Sequence, residues 1–119
     1  MKIVEKPWGR EIWIAHENGR YAGKILEIRE GHRLSLQYHE QKHETLYLQE
    51  GKVRFTLEDD SGNLQMEVIQ QGGVKIVAPG RRHRMEAIRD SILIEFSSPE
   101  LGDVVRVEDD YNRNARDQG

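Results

Sequence analysis

Apolar, β-branched and aromatic residues fall at alternate positions over Tyr21–Arg29, Arg33–His39, Glu44–Gln49, Lys52–Glu58, Leu64–Gln70, Val74–Ala78, His83–Ile88, Ile92–Ser97 and Asp103–Glu108. A period of two is the pleat of a β-strand, in which successive side chains point to opposite faces. Turn-forming pairs separate these runs: Asn18-Gly19, Glu30-Gly31, Glu50-Gly51, Ser61-Gly62, Gly72-Gly73 and Pro79-Gly80. Nine or ten short strands so spaced predict an all-β sandwich or barrel. No segment sustains a helical period, and no internal repeat or linker interrupts the pattern. The 119 residues are therefore read as one domain, 1–119, with a polar tail from about Asp109 expected to fray.

Alternation also sorts the polar residues onto faces. On Arg33–His39 it sets Ser35, Gln37 and His39 on one side and Leu34, Leu36 and Tyr38 on the other. Glu44 shares a face with Leu46 and Leu48, and His83 shares one with Met85 and Ala87. Groups of ligand type thus sit on faces that otherwise read as buried. A buried polar group needs a partner, and several converging on one lumen find it readily in a bound cation.

Charge and composition narrow the function. Eighteen Lys and Arg against twenty-one Asp and Glu leave a net charge of −3 with both signs interspersed, so a nucleic-acid backbone is not the expected partner. No apolar run approaches the ~20 residues of a membrane-spanning helix, and the opening MKIVEKPWGRE turns charged before a secretory apolar segment could form. A cytoplasmic location without membrane contact is the resulting expectation. The absence of cysteine removes disulfides, thiolate metal sites and cysteine nucleophiles.

Gly31, Gln37, His39, Glu44 and Gly51 stand at the spacing of the first cupin motif, G-x5-H-x-H-x4-E-x6-G, with Gln37 in place of the first His. Gly72, Gly80 and His83 match the second motif, G-x5-P-x-G-x2-H, where Ala78 replaces the usual Pro and Ala87 the terminal Asn. Lys6-Pro7-Trp8-Gly9, Arg33-Leu34-Ser35-Leu36-Gln37-Tyr38-His39 and the stretch Val104–Arg113 extend the likeness over most of the chain. It resembles the C-terminal domain of type II mannose-6-phosphate isomerases, in which Gln at the first ligand position is the norm.

The resemblance implies a cupin double-stranded β-helix, a jelly-roll barrel, whose lumen holds a divalent metal on Gln37, His39, Glu44 and His83. Two imidazoles, a carboxylate and an amide oxygen suit Zn, Mn, Fe, Co or Ni, and without thiolates the donor set selects weakly among them. By resemblance zinc leads. His39-Glu40-Gln41-Lys42-His43 also spells the zincin protease signature H-E-x-x-H, which requires a helix to bring both imidazoles to one face. The flanks alternate as strands, so Glu40 and His43 are read as rim residues.

The resemblance further implies isomerisation of a sugar phosphate, mannose 6-phosphate to fructose 6-phosphate, with the metal polarising the carbonyl while a base moves a proton between C2 and C1. Lys42, standing where the type II pattern has Arg, is a candidate base if its pKa is lowered, and His43 is the other. Arg113 matches the Arg that closes the family's Asp-Asp-Tyr-Gly-Arg segment, with Asn112 in place of the Gly, and the resemblance implies a catalytic role for it, holding phosphate or developing negative charge. Arg81 and Arg82, beside His83, are candidate phosphate ligands, and Trp8 is a candidate substrate contact. Thr45 and Leu46 replace the His-Trp pair usual after the motif's Glu. That departure, with the missing nucleotidyltransferase partner domain, supports a non-catalytic sugar- or sugar-nucleotide-binding cupin as an alternative. An Fe(II)-dependent oxygenase using His39, Glu44 and His83 is another. Pairing of single-domain cupins through their outer sheets implies a homodimer, compatible with outward-facing Leu34 with Leu36 and Val53 with Phe55 and Leu57, although the latter residues equally suit the space between sheets.

Overall fold

The computed structural model describes residues 1–100 and 102–117, and among these every regular element is a strand. In chain order they are β1 (Lys2–Lys6), β2 (Gly9–Ala15), β3 (Ala22–Ile28), β4 (Leu36–Tyr38), β5 (Glu44–Glu50), β6 (Val53–Glu58), β7 (Leu64–Ile69), β8 (Val74–Val77), β9 (His83–Ala87), β10 (Ser91–Ser97), β11 (Val104–Glu108) and β12 (Arg116–Asp117). They form two antiparallel six-stranded sheets, ordered β1-β2-β3-β10-β5-β8 and β12-β11-β4-β9-β6-β7. This is the all-β jelly-roll arrangement that the alternation and the motifs predict. With no helix among the described residues, none is long and apolar enough to cross a membrane.

The apolar core lies between the sheets. Leu26, Leu46, Leu48, Val53, Phe55, Val77 and Leu93 are fully buried there; each contributes roughly 1.5–3 kcal/mol relative to an exposed side chain. Val53 and Phe55 therefore face inward, with Leu57 packed partly buried against the same cluster, and none of the three forms an outer face. The β5–β6 turn is closed by Gly51 at φ +102°, where a Cβ would come within 2.3 Å of Ser91 Oγ and 2.6 Å of the Asp90 carbonyl. Only glycine satisfies both the left-handed backbone and the close approach.

The first fifteen residues hold two strands that hydrophobic patterning does not announce, because the pattern is inverted. On β2, Glu11 and Trp13 point inward, while Ile12 and Ile14 face out. Glu11 is satisfied inside by Trp13 Nε1, which donates to its carboxylate at 2.8 Å, and by Lys24 Nζ at 3.5 Å. The ammonium groups of Lys2 and Lys24 lie over the Trp13 ring, 4.6 and 4.4 Å from its centroid, an arrangement favoured by the ring quadrupole.

The outward apolar residues of this sheet line up. Cross-strand register places Ile3 opposite Ile12, Ile12 opposite Ile25, Ile25 opposite Ile94, Ile94 opposite Tyr47, and Tyr47 opposite Val74, one row across all six strands. Beside it Phe96 faces Thr45 and Thr45 faces Ile76. Val74, Ile76 and Phe96 are 53%, 61% and 55% exposed.

The second sheet carries one irregularity that matters to the site. Arg33 bridges Glu86, the Leu34 amide donates to the Met85 carbonyl, and Gln37 is opposite His83. Four steps along one segment thus match three along β9, a bulge of one residue. It moves Leu34 onto the face of Gln37 and His39, where it joins the core, instead of leaving it with Leu36 on the opposite side. The tail expected to fray is tied down in part by β12 pairing with β11; positions 118 and 119 lie outside the described residues.

Candidate metal centre

Two strands and the loop after β4 deliver three polar residues to a single interior point. His39 follows β4, Glu44 opens β5, and His83 opens β9, all three fully buried. His83 Nε2 lies 3.1 Å and His39 Nε2 3.5 Å from Glu44 Oε1, and the two rings are 5.0 Å apart between centroids. Their ligand atoms all fall within 4.8 Å of one another.

The orientation of the rings decides what this cluster wants. His39 Nδ1 is 2.6 Å from the Asp103 carbonyl and His83 Nδ1 is 2.9 Å from the Arg81 carbonyl. A carbonyl only accepts, so each Nδ1 carries a proton, and in the neutral ring each Nε2 directs its lone pair at Glu44. Neither Nε2 makes a hydrogen bond, and Glu44 Oε2 faces the Lys42 ammonium at 3.4 Å. Buried acceptors facing one another are costly unless a cation lies among them. Two neutral imidazole nitrogens and a carboxylate, each imidazole anchored by a carbonyl on its far side, form the donor set and supporting shell of a divalent metal site. Burial would push the Glu44 carboxyl up, but, without metal, hydrogen bonds from His39 and His83 when their Nε2 atoms carry protons, together with the Lys42 ammonium, outweigh it and hold the group well below the usual carboxylate range.

The triad opens on a cavity of about 30 Å³, room for an ion and one or two waters. Its wall includes Trp8, Gln37, Lys42 and Arg113, together with Lys6, Glu11, Lys24, Glu95 and Arg106.

A family model, the mannose-6-phosphate isomerase C-terminal domain, matches residues 1–113. The chain belongs to this family. The comparison with curated protein sequences found no match to this chain. Among solved structures its fold is that of the cupins. KdgF from Halomonas sp. superposes with a TM-score of 0.71 at 18% identity, covering 84% of this chain and 87% of that one. The capsular polysaccharide assembling protein CapF of Staphylococcus aureus gives 0.78 at 14% identity, over 90% of this chain and 31% of its own. Bacillus subtilis oxalate decarboxylase, whose Mn(II) centres have been studied by EPR, gives 0.77 at 20% identity, over 90% and 30%. This chain thus spans about a third of the latter two proteins.

Within the family's motif residues the structure makes distinctions that spacing cannot. Gln37 lines the cavity, but its amide oxygen accepts from Ser35 Oγ at 2.7 Å. Trp8 is both a cavity wall and part of the apolar core. Arg113 reaches the wall while its guanidinium grips Asp109 at 2.9 and 3.1 Å, and Asn112 adopts the φ of +54° that the family's glycine would take without strain. Thr45 points to the outer face and Leu46 into the apolar core, and neither lines the cavity.

Arg81 and Arg82 are not in the cavity wall. Arg81 is bound to Asp60, and Arg82 donates to Glu58 Oε1 at 3.1 Å and the Gly62 carbonyl at 2.9 Å, so both brace the β6–β7 hairpin. His43 is exposed and its main chain bonds Ser98, which removes it as a ligand. The H-e-x-x-H stretch lies in the β4–β5 connection and not on a helix, as a zincin requires. Lys42 is buried between Glu95 at 3.2 Å and Glu44 at 3.4 Å. Burial lowers its pKa, but the two carboxylates outweigh burial and raise it, the reverse of the lowering a base needs.

Glu11, Lys24, Glu95 and Arg106 were missed by sequence reasoning. Each sits at an inward strand position, yet lone charges in alternating strands read as solvent-facing. The one signal was register: Glu95 is opposite Lys24 on β3, and Arg106 opposite Gln37 on β4.

Proposed function

We propose that the protein is a metal-dependent aldose–ketose isomerase of a phosphorylated sugar, with mannose 6-phosphate and fructose 6-phosphate as the pair that its family suggests. The observation carrying this reading is the set of buried acceptors on His39, Glu44 and His83 facing one another. Gln37 would be the fourth ligand after exchanging its bond to Ser35, and zinc is the metal proposed. When bound, the divalent ion supplies Lewis acidity, polarising the sugar carbonyl and stabilising the negative charge that develops as the C2 proton leaves.

The chain's own residues supply the rest. Glu95, a cavity carboxylate that is no member of the triad, takes the proton from C2 and returns it to C1. Lys42 remains an ammonium, orienting Glu95 through their 3.2 Å contact and balancing charge in the wall. Trp8 and Leu34 form apolar wall that excludes water from the exposed carbanion.

The test is conversion of mannose 6-phosphate followed by appearance of fructose 6-phosphate, with the metal loaded, chelated, and after His83→Ala. Turnover surviving both chelation and substitution overturns the proposal. Saturable sugar-phosphate binding without turnover in the metal-loaded protein supports the non-catalytic cupin instead.

We also propose that a second copy of the chain covers the outer face of the first sheet. Five inter-strand steps make the apolar row roughly 24 Å across, the width of an interface burying about 800 Å² per partner.

A further inference from the structure

Resting on the metal-centre reading, we infer that Ser35 is a positioning residue that makes Gln37 the releasable member of the ligand set, because it holds the same amide oxygen that a divalent ion would take. Ser35 lies in the bulged stretch between Arg33 and Gln37 and is wholly buried. Its hydroxyl donates to Gln37 Oε1 at 2.7 Å. Gln37 itself is half-buried on the cavity wall, and register sets it directly opposite His83 on β9. The amide is thus the cross-strand neighbour of a triad imidazole, with its oxygen already engaged by a hydroxyl proton.

The groups that support the ligands act with opposite signs. Behind His39 and His83 stand carbonyls, of Asp103 and Arg81, which accept the Nδ1 protons at 2.6 and 2.9 Å. An acceptor in that place sends electron density toward Nε2 and strengthens the imidazole as a ligand. The Ser35 proton draws density out of Gln37 Oε1 instead, and a carbonyl oxygen suits zinc less well than an imidazole to begin with. His39, Glu44 and His83 are therefore the firm ligands, and Gln37 is the one that can return to Ser35. Three firm ligands with a withdrawable fourth leave a position for a reacting molecule, as catalytic zinc sites do and closed structural sites do not. Ser35→Ala deletes one buried hydroxyl and no apolar contact surface, so the fold around the triad is left in place.

Zinc alone is the probe, its affinity for the full chain read by competition with a chelating dye in the parent, Ser35→Ala, Gln37→Ala and the double variant. Ser35→Ala is expected to tighten zinc binding about fivefold, the worth of one neutral hydrogen bond, and Gln37→Ala to weaken it. In the Gln37→Ala background the serine substitution is expected to shift affinity by less than about twofold, because the hydroxyl then has no ligand to withhold. The rise in Tm on adding zinc should follow the same order, larger for Ser35→Ala than for the parent. Losing a merely structural hydroxyl would weaken binding or leave it alone, with or without Gln37. Zinc binding that is weaker or unchanged in Ser35→Ala, or that changes equally in both backgrounds, overturns the inference. No sugar enters these measurements, so the two readings fail separately. Absent mannose 6-phosphate turnover with the cycle intact sinks the isomerase and leaves the role of Ser35, whereas turnover with an additive cycle sinks the role of Ser35 alone. A chain that binds no zinc overturns both.

Discussion

Asp103 holds His39 twice over: its carbonyl fixes the imidazole Nδ1 at 2.6 Å, and its carboxylate accepts the amides of Glu40, Gln41 and Lys42 at 2.9, 2.6 and 2.9 Å. The ring and the loop that follows it are thus tied to one residue at the start of β11. Asp103→Ala keeps the carbonyl but frees the loop. Metal affinity, read by competition with a chelating dye, is expected to fall about 10–100-fold, the usual consequence of losing a group that orients a ligand. Unchanged affinity would mean that the loop is held by other contacts.

Glu44→Gln removes a charge that the folded state favours. Lys42 loses one of its two carboxylate partners, 3.4 Å away, and the triad loses its carboxylate. Because the Glu44 carboxyl lies well below its usual range, ionised Glu44 adds stability above that range. At pH 8 the metal-free variant is expected to be less stable than the parent by about 1–3 kcal/mol, seen as a lower Tm. Added zinc should raise the Tm of the parent and not of the variant. A metal-free variant as stable as the parent would contradict the part given to the Lys42–Glu44 pair.

The Asp109–Arg113 pair sets an acid limit. Burial pushes the Asp109 carboxyl up, but the bidentate guanidinium and the amides of Arg113 and Tyr111 outweigh it and bring its pKa down to about 2. A carboxyl depressed in the folded state adds stability above its unfolded value of about 4. That stability is lost as pH falls from there through 2. Arg113→Ala should raise the Asp109 midpoint, followed by carboxyl carbon NMR, and move the acid-unfolding midpoint upward. A midpoint that does not move would show that the amides alone hold the charge.

Assembly through the outer sheet is open to a charge test. Ile76→Lys combined with Phe96→Lys places two ammonium groups on exposed positions beside the apolar row without touching the core. Light scattering after gel filtration is expected to give the dimer mass for the parent and the monomer mass for the variant, with the folded β-sheet spectrum unchanged. A parent already monomeric at micromolar concentration rules out this use of the face.

Much of this molecule was readable before any coordinates. Alternation placed Glu44 with Leu46 and Leu48, and His83 with Met85 and Ala87, on interior faces, as observed. Motif spacing brought His39, Glu44 and His83 together from distant segments, because strand length and turn position decide which side chains meet. The unread part follows from one inversion. The first sheet turns Glu11, Lys24 and Glu95 inward and Ile3, Ile12, Ile25 and Ile94 outward. A rule that sends charge to water hides β2 and half the cavity wall. The arginines beside His83 precede β9 and lie outside the cavity wall, and the carboxylates that hold Arg81 and Arg82 lie about twenty residues away, at Asp60 and Glu58.

The bulge between Arg33 and Gln37 means that the frame of the residues leading into the ligand set depends on a length and not only on residue types. Shortening that stretch by a single residue would set three steps against three, so that Gln37 stays opposite His83 and the bulged residues between Arg33 and Gln37 are the ones whose placement changes. Relatives differing in length at this spot should therefore be compared by their pairing with β9 before their ligands are equated.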